Sequence, residues 1–219
     1  MNAQTEALTL QGAAGAVEVL VDRPAGESYG TVVVAHPHPL FQGTMHNKVV
    51  QTLVRAFVQS GWTAVRFNFR GVGASAGVFD QGIGETEDLL HVVQQLAPAG
   101  RLALAGFSFG AFVTARAVEI LATQRALDAV VLVGTATSRF QVPVIPTALH
   151  PRTLVVHGEV DDVVPLSFTM DWARQQALPV TVIPGPGNPV EGVGHFFHGQ
   201  LTLLKNLVQR HILTVRALG

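Results

Sequence analysis

The chain of 219 residues contains no cysteine. That removes disulfide frameworks, zinc ribbons and thiol nucleophiles from consideration at once. Charge is scarce too: Asp, Glu, Lys and Arg make up 13% of residues, against ~25% in an average globular chain. The formal net charge is −1 and no block of like charges occurs, so nothing in the sequence attracts nucleic acid or an anionic lipid surface. No apolar run approaches the ~20 residues that span a bilayer. The opening MNAQTEALTLQG lacks the basic start and apolar stretch of a signal peptide. These absences lead to the expectation of a soluble, cytoplasmic protein with no nucleic-acid partner and no membrane span, either a monomer or a homodimer.

What the chain does have is apolar residues, at 48%. They fall into short β-branched runs, each followed by a turn signal and a longer stretch of mixed polarity. ALTL and AVEVLV, split by QGAAG, read as an N-terminal hairpin. TVVVAH (31–36), TAVRFNF (63–69), RLALAG (101–106), DAVVLVG (128–134), RTLVVHG (152–158) and PVTVIPG (179–185) read as strands. Helical spacing occupies 44–59, 83–97, 109–123, 167–177 and 197–215; in the last of these Leu201, Leu204, Val208 and Ile212 keep to one face. Near-continuously apolar strands alternating with helices predict an α/β fold: a mostly parallel sheet covered on both faces, with the antiparallel hairpin at its edge. With no linker, repeat or low-complexity tract, 1–219 is expected to form one domain. TATSRFQVPVIPTALH (135–150) is long for a loop, which points to function, yet too short to be a cap domain.

The stretch Gly106-Phe107-Ser108-Phe109-Gly110 follows one of these strands and opens a helix. On a tight strand-to-helix turn the flanking glycines relieve crowding and the serine hydroxyl stands out of the carboxyl edge of the sheet. The plain alternative is a helix N-cap serine. A serine nucleophile needs a base. Of the nine histidines, His195 in GVGHFF (192–197) lies after the last strand, beyond the same sheet edge; His198 falls at the start of the terminal helix. HGEVDDVVP (157–165) presents two adjacent aspartates after another strand. Asp161 or Asp162 can orient the imidazole while the other is solvated.

With those residues in place, the chain resembles the α/β-hydrolase superfamily over nearly its whole length. AHPHPLFQGTMHNKVV (35–50), FNFRGVGASAG (67–77), FDQGIGETEDL (79–89), GFSFG and HGEVDDVVP are similar to a small, lidless bacterial branch of serine hydrolases, dienelactone-hydrolase- or esterase-like. The resemblance implies the α/β-hydrolase fold with no cap domain and the chain order Ser108, Asp161, His195. It implies Asp161 rather than Asp162 as the acid. It further implies an oxyanion site made by the Phe109 N–H and an N–H from the loop after strand 31–36. Pro37 and Pro39 have no N–H to give, so His38 and Leu40 remain, with Leu40 favoured if the paired prolines push the bend one step later. This loop departs from the usual H-G-G of the family.

Other signals point less far. His36, His38 and His46 lack a carboxylate or cysteine to complete a metal site, so no metal is expected. GVGASAG (71–77) has the wrong spacing for a dinucleotide fingerprint and is expected to be a turn. Arg70 is expected to pair with Asp88 or Glu85, and His157 to be structural. The expected function is a cofactor-free carboxylesterase or thioesterase acting on a small-molecule acyl ester or thioester. Phe41, Phe107 and Phe140 are the candidate acyl-site residues. A serine peptidase or aminopeptidase, and a non-enzymatic binding module on the same fold, are the alternatives.

Overall fold

The structure is a computed structural model that describes residues 5–185 and 193–217. Gly192, the first residue of the GVGHFF segment, and both ends of the expected 1–219 unit lie outside the described residues. Two strands, β1 (Thr5–Gly12) and β2 (Gly15–Asp22), form the expected hairpin. Their register runs to Gly12 opposite Gly15, with Gly15 at φ +116. The remaining strands are β3 (Thr31–Ala35), β4 (Thr63–Phe67), β5 (Leu102–Phe107), β6 (Ala129–Val133), β7 (Thr153–Gly158) and β8 (Val180–Ile183). All eight form one sheet in the order β1-β2-β4-β3-β5-β6-β7-β8. β1–β2 and β2–β4 pair antiparallel; every other neighbour is parallel.

Among the described residues five helices cover it: α1 (Lys48–Gln59), α2 (Ile83–Leu96), α3 (Phe109–Leu121), α4 (Leu166–Arg174) and α5 (Leu201–Ala217). The strand alternation decides which helix goes where. Val32, Val34, Ala103, Ala105, Val131 and Val133 point to the face packed by α1 and α5, with Phe57, Trp62, Leu204, Val208 and Ile212 in that core. Val33, Ala35, Leu102, Leu104, Val130 and Leu132 point to the other face, packed by α2, α3 and α4. Each large side chain fully withdrawn from water here contributes about 1.5–3 kcal/mol. Among the described residues no helix is long and apolar enough to cross a membrane.

Several boundaries shift from the sequence reading, each for a local reason. α1 begins at Lys48 rather than near Thr44, because Thr44 to Asn47 forms a turn and Asn47 Oδ1 accepts from the Val49 N–H at 2.8 Å as the N-cap. α5 begins at Leu201, so His198 lies in the turn ahead of the helix. The 135–150 segment contains no lid; it remains a loop ending in a short 3-10 turn over Thr147–Arg152. Its middle is tied to α4, where Trp172 Nε1 donates to the Val142 and Pro143 carbonyls and Gln176 Oε1 accepts from the Ile145 N–H.

Strand order reverses at β3. The chain steps from β3 through α1 to β4 on one side, then through α2 to β5 on the other. The loops after β3 and β5 therefore face one another at the carboxyl edge, the place where open α/β sheets form a crevice. The loop after β4 is fixed by Arg70, whose Nε and Nη2 reach Asp88 Oδ2 and Oδ1 at 3.0 and 2.8 Å. Asp88 Oδ2 also accepts the Arg70 N–H. Glu85 does not join this pair: it closes the start of α2 by accepting from the Asp80 and Gly82 N–H groups. Without Asp88 the largely buried guanidinium keeps, among the described residues, only the half-exposed Glu87, 3.3 Å from Nη2, and Asp80 at 3.9 Å. Asp88→Ala is accordingly expected to destabilise the fold by about 3–5 kcal/mol, read as a lowered urea midpoint.

Candidate active site

β5 runs straight into α3 through Ser108, which holds φ 58 and ψ −119. A non-glycine residue at positive φ is strained, and its neighbours show what imposes it. A Cβ on Gly106 would lie 2.3 Å from the Gly110 carbonyl oxygen, and one on Gly110 would lie 2.4 Å from that of Ala35. Only glycines let the turn close so tightly against the end of β3. The Ser108 N–H donates to the Val133 carbonyl at 2.8 Å, pinning the turn to β6 as well.

Three side chains from three loops meet there. Ser108 Oγ lies 2.9 Å from His195 Nε2, and His195 Nδ1 lies 2.7 Å from Asp161 Oδ2. The carboxylate can only accept, so the imidazole carries its proton on Nδ1 and accepts the serine proton at Nε2. Asp161 Oδ1 is occupied by the Val163 and Val164 N–H groups at 3.0 and 2.7 Å, which fixes the plane of the carboxylate. Asp162 is exposed and makes no such bond. His157 donates from Nε2 to the Val164 carbonyl at 2.8 Å and stands 3.5 Å from Asp161 Oδ2. Burial pushes its pKa down, so it braces the aspartate loop as a neutral ring.

The loop after β3 completes the site. His36 is fully buried, donates from Nδ1 to the Pro37 carbonyl at 2.6 Å and accepts from the Phe69 N–H at Nε2, 3.0 Å away. Gly43 packs against the same Pro37 carbonyl, where a Cβ would come within 2.1 Å. In a trans peptide the carbonyl and the next N–H point in opposite directions. Holding Pro37 C=O therefore fixes the direction of the His38 N–H. No hydrogen bond from the His38 or Phe109 backbone N–H exists among the described residues, and both residues line the cleft beside Ser108. Leu40, the expected donor, is placed otherwise. Its N–H donates to His38 Nδ1 at 3.2 Å within the Pro39–Phe41 turn, its side chain is exposed, and it does not line the cleft.

The cleft encloses about 450 Å³. Phe41, Phe109, Phe140 and Phe196 form much of its wall, with Val163, Val164 and Ala136. The His38 ring sits among Phe41, Phe79 and Phe109 at 4.8–4.9 Å, and its pKa is lowered, first by burial and then by the nearby Arg139 charge. Phe107, expected in the acyl site, is a correction. As the residue before the turn it points into the sheet, fully buried with its ring 4.9 Å from that of His195, so it supports the imidazole and does not line the cleft. Neither His36 nitrogen is free to ligate, and among the described residues no cluster of His, Asp or Glu is disposed to hold a metal.

The chain is similar to several known proteins. A model of the X-Pro dipeptidyl-peptidase (S15) family matches residues 16–150, which run from β2 to the loop after β6. A solved α/β serine hydrolase without a lid from Xanthomonas campestris is 35% identical, with a TM-score of 0.83 over 97% of this chain and 95% of that one. An α/β serine hydrolase homologue from Coxiella burnetii is 38% identical, with a TM-score of 0.76 over 94% and 96%. The chain belongs to the S15 family, among the lidless α/β serine hydrolases. An uncharacterised Rickettsia prowazekii protein is 26% identical over 94% of the chain and 88% of its own length.

In this hydrolase the motif residues Ser108, Asp161 and His195 are brought together, as are the Phe109 N–H, Phe41 and Phe140. Gln42, Arg139 and Phe196 also line the cleft and were not singled out from sequence. Phe196 adjoins His195 and Arg139 lies in the long loop already marked as functional, so the signal was positional and gave no residue.

Burial holds His36 at a pKa of about 4, the Pro37 bond opposing the shift. Unfolded, the ring takes up a proton near pH 6.5. Stability is then complete above about pH 6.5 and falls as pH drops toward 4, by about 3 kcal/mol from this ring across the interval. Urea midpoints at pH 7.5 and 4.5 should show a steeper loss for the wild type than for His36→Asn.

Proposed function

We propose that this hydrolase is a cofactor-free serine esterase or thioesterase acting on small to medium acyl chains, with Ser108, His195 and Asp161 as its triad. The observation that carries the reading is the unbroken hydrogen-bonded chain from Asp161 Oδ2 through His195 to Ser108 Oγ, buried yet opening on an apolar cleft. Ser108 Oγ attacks the acyl carbonyl carbon while His195 Nε2 takes its proton. Asp161 holds the ring and balances the imidazolium. The carbonyl oxygen becomes an oxyanion held by the Phe109 and His38 N–H groups, the two unspent donors beside the serine. His195 returns the proton to the departing alcohol or thiol, leaving an acyl-enzyme. Water then attacks that carbonyl, giving its proton to His195, and Ser108 regains it as the acid leaves. The whole chain is proposed to act as one domain, in the cytoplasm, as a monomer or homodimer.

The S15 match keeps a peptidase reading in view. An enzyme that grips the free amino end of a peptide needs an anionic group to receive the ammonium. Among the described residues no Asp or Glu lines this cleft, which favours the ester.

The test is turnover of p-nitrophenyl acetate, butyrate and octanoate beside Ala-Pro p-nitroanilide. Ser108→Ala, His195→Ala and Asp161→Asn should each lose at least ~100-fold in kcat/KM on esters; Asp162→Asn should not. Activity of Ser108→Ala equal to the wild type overturns the reading, and faster cleavage of the anilide moves the assignment to a peptidase.

A further inference from the structure

Among the described residues, the cleft carries a cation that no carboxylate neutralises. Arg139 lies on the loop after β6, at the turn where the Arg139 and Phe140 N–H groups both donate to the Ala136 carbonyl at 3.1 Å. The turn is anchored. Phe140 stacks on Phe112 at 4.6 Å and 12°, and Thr137 and Thr169 share a hydroxyl–hydroxyl bond of 3.0 Å. Arg139 therefore stands on a fixed stretch of backbone.

Its side chain lines the cleft with Ser108, His195 and the aromatic wall. The buried arginines are answered by carboxylates, Arg66 by Asp22 and Arg70 by Asp88, whereas Arg139 is exposed at the cleft margin. Among the described residues Arg139 has neither an ion pair nor a side-chain hydrogen bond. Among the described residues the only ionisable side chains beside it in the cleft wall are His38 and His195. Its charge reaches His38, whose protonation it opposes. Phe140 and Phe109 lie to one side and lower the local polarity, which strengthens any attraction the guanidinium exerts on an entering group.

We propose that Arg139 is a specificity residue that selects esters or thioesters bearing a carboxylate at the end of the group lying along Phe140. The inference rests on the ester reading above and narrows it to a substrate class. A guanidinium matches a carboxylate in a planar, two-point hydrogen bond. The same cation repels the ammonium group that an aminopeptidase substrate presents. Water competes at the exposed side of Arg139, so the preference is modest, about tenfold. The carboxylate can sit on the acyl or the alcohol half of the ester, and the two need separate substrates.

The experiment compares p-nitrophenyl hydrogen adipate with p-nitrophenyl hexanoate, which differ by a terminal carboxylate in place of a methyl group. A second pair, 4-carboxyphenyl hexanoate and phenyl hexanoate, carries the charge on the alcohol side. For one pair the wild type should favour the charged ester about tenfold in kcat/KM, once the uncatalysed reactivity of the two esters is allowed for. Arg139→Gln should remove that preference, Arg139→Lys should keep part of it, and raising NaCl from about 0.05 to about 0.5 M should shrink it. The pair that responds names the half. If the charged-to-neutral ratio is the same in wild type and Arg139→Gln for both pairs, the proposal is overturned while the esterase reading stands. Binding gives an arm independent of turnover. Calorimetry on Ser108→Ala should show monomethyl adipate or 4-carboxyphenyl hexanoate bound tighter than its neutral counterpart, and Ser108→Ala/Arg139→Gln should show no difference. Equal binding in Ser108→Ala overturns the proposal even if no ester is hydrolysed, and absent turnover alone counts only against the esterase reading.

Discussion

The whole site depends on one close approach of backbone to backbone, where the turn after β5 presses on the end of β3. Gly110 lies so near the Ala35 and His36 carbonyls that no side chain fits, and Gly106 lies equally near Gly110 itself. Ser108 is left in a backbone conformation that costs on the order of 1–3 kcal/mol. The surrounding sheet holds it there through the Val133 carbonyl and the start of α3. That strain is what lifts the hydroxyl out of the sheet edge. It also sets the spacing between Ser108 and the His36–Gly43 loop, so the positions proposed for nucleophile and oxyanion are consequences of one contact.

The second constraint is the neutrality of the buried histidines. His36 has spent both nitrogens, one on Pro37 and one on Phe69, and it can do so only as a neutral ring with its proton on Nδ1. Since the Pro37 carbonyl is held by that proton, the direction of the His38 N–H is a property of the His36 side chain. His157 acts in the same way on the other loop: uncharged, bonded to the Val164 carbonyl, it steadies the segment that presents Asp161. Two histidines outside the hydrogen-bonded chain thus orient the backbone around it. Among the described residues Asp161 is the one carboxylate bonded to His195, so a charge on that ring would have a single counter-ion.

The legibility of the sequence follows from which features are local. The sheet was readable because its strands are buried on both faces and so are apolar without interruption. Ser108 was readable because its glycines must flank it at a fixed distance, and Asp161 and His195 because each closes a short run after a strand. The sequence did not separate His38 from Leu40 as the proposed second oxyanion donor, because they differ only in where their N–H groups point, and that is decided by a hydrogen bond within the loop and by the His36 ring. Phe107 was misplaced for a similar reason: beside Ser108 in sequence, it belongs to the opposite face of β5. The start of α1 was set four residues late by an asparagine cap that the apolar spacing does not register.

The open cleft and the missing lid give the site a particular electrostatic character. A lid would exclude water and amplify every charge beneath it; here the walls are aromatic but one side stays wet. In such a site a fully buried arginine would need a permanent carboxylate partner, as Arg70 needs Asp88. Arg139 at the wet margin does not need one, because water stabilises it when the cleft is free. It can therefore remain unpaired without a large cost to folding and still meet an anionic group that arrives with the substrate. The exposure that makes its attraction weak is also what allows it to be kept for the substrate.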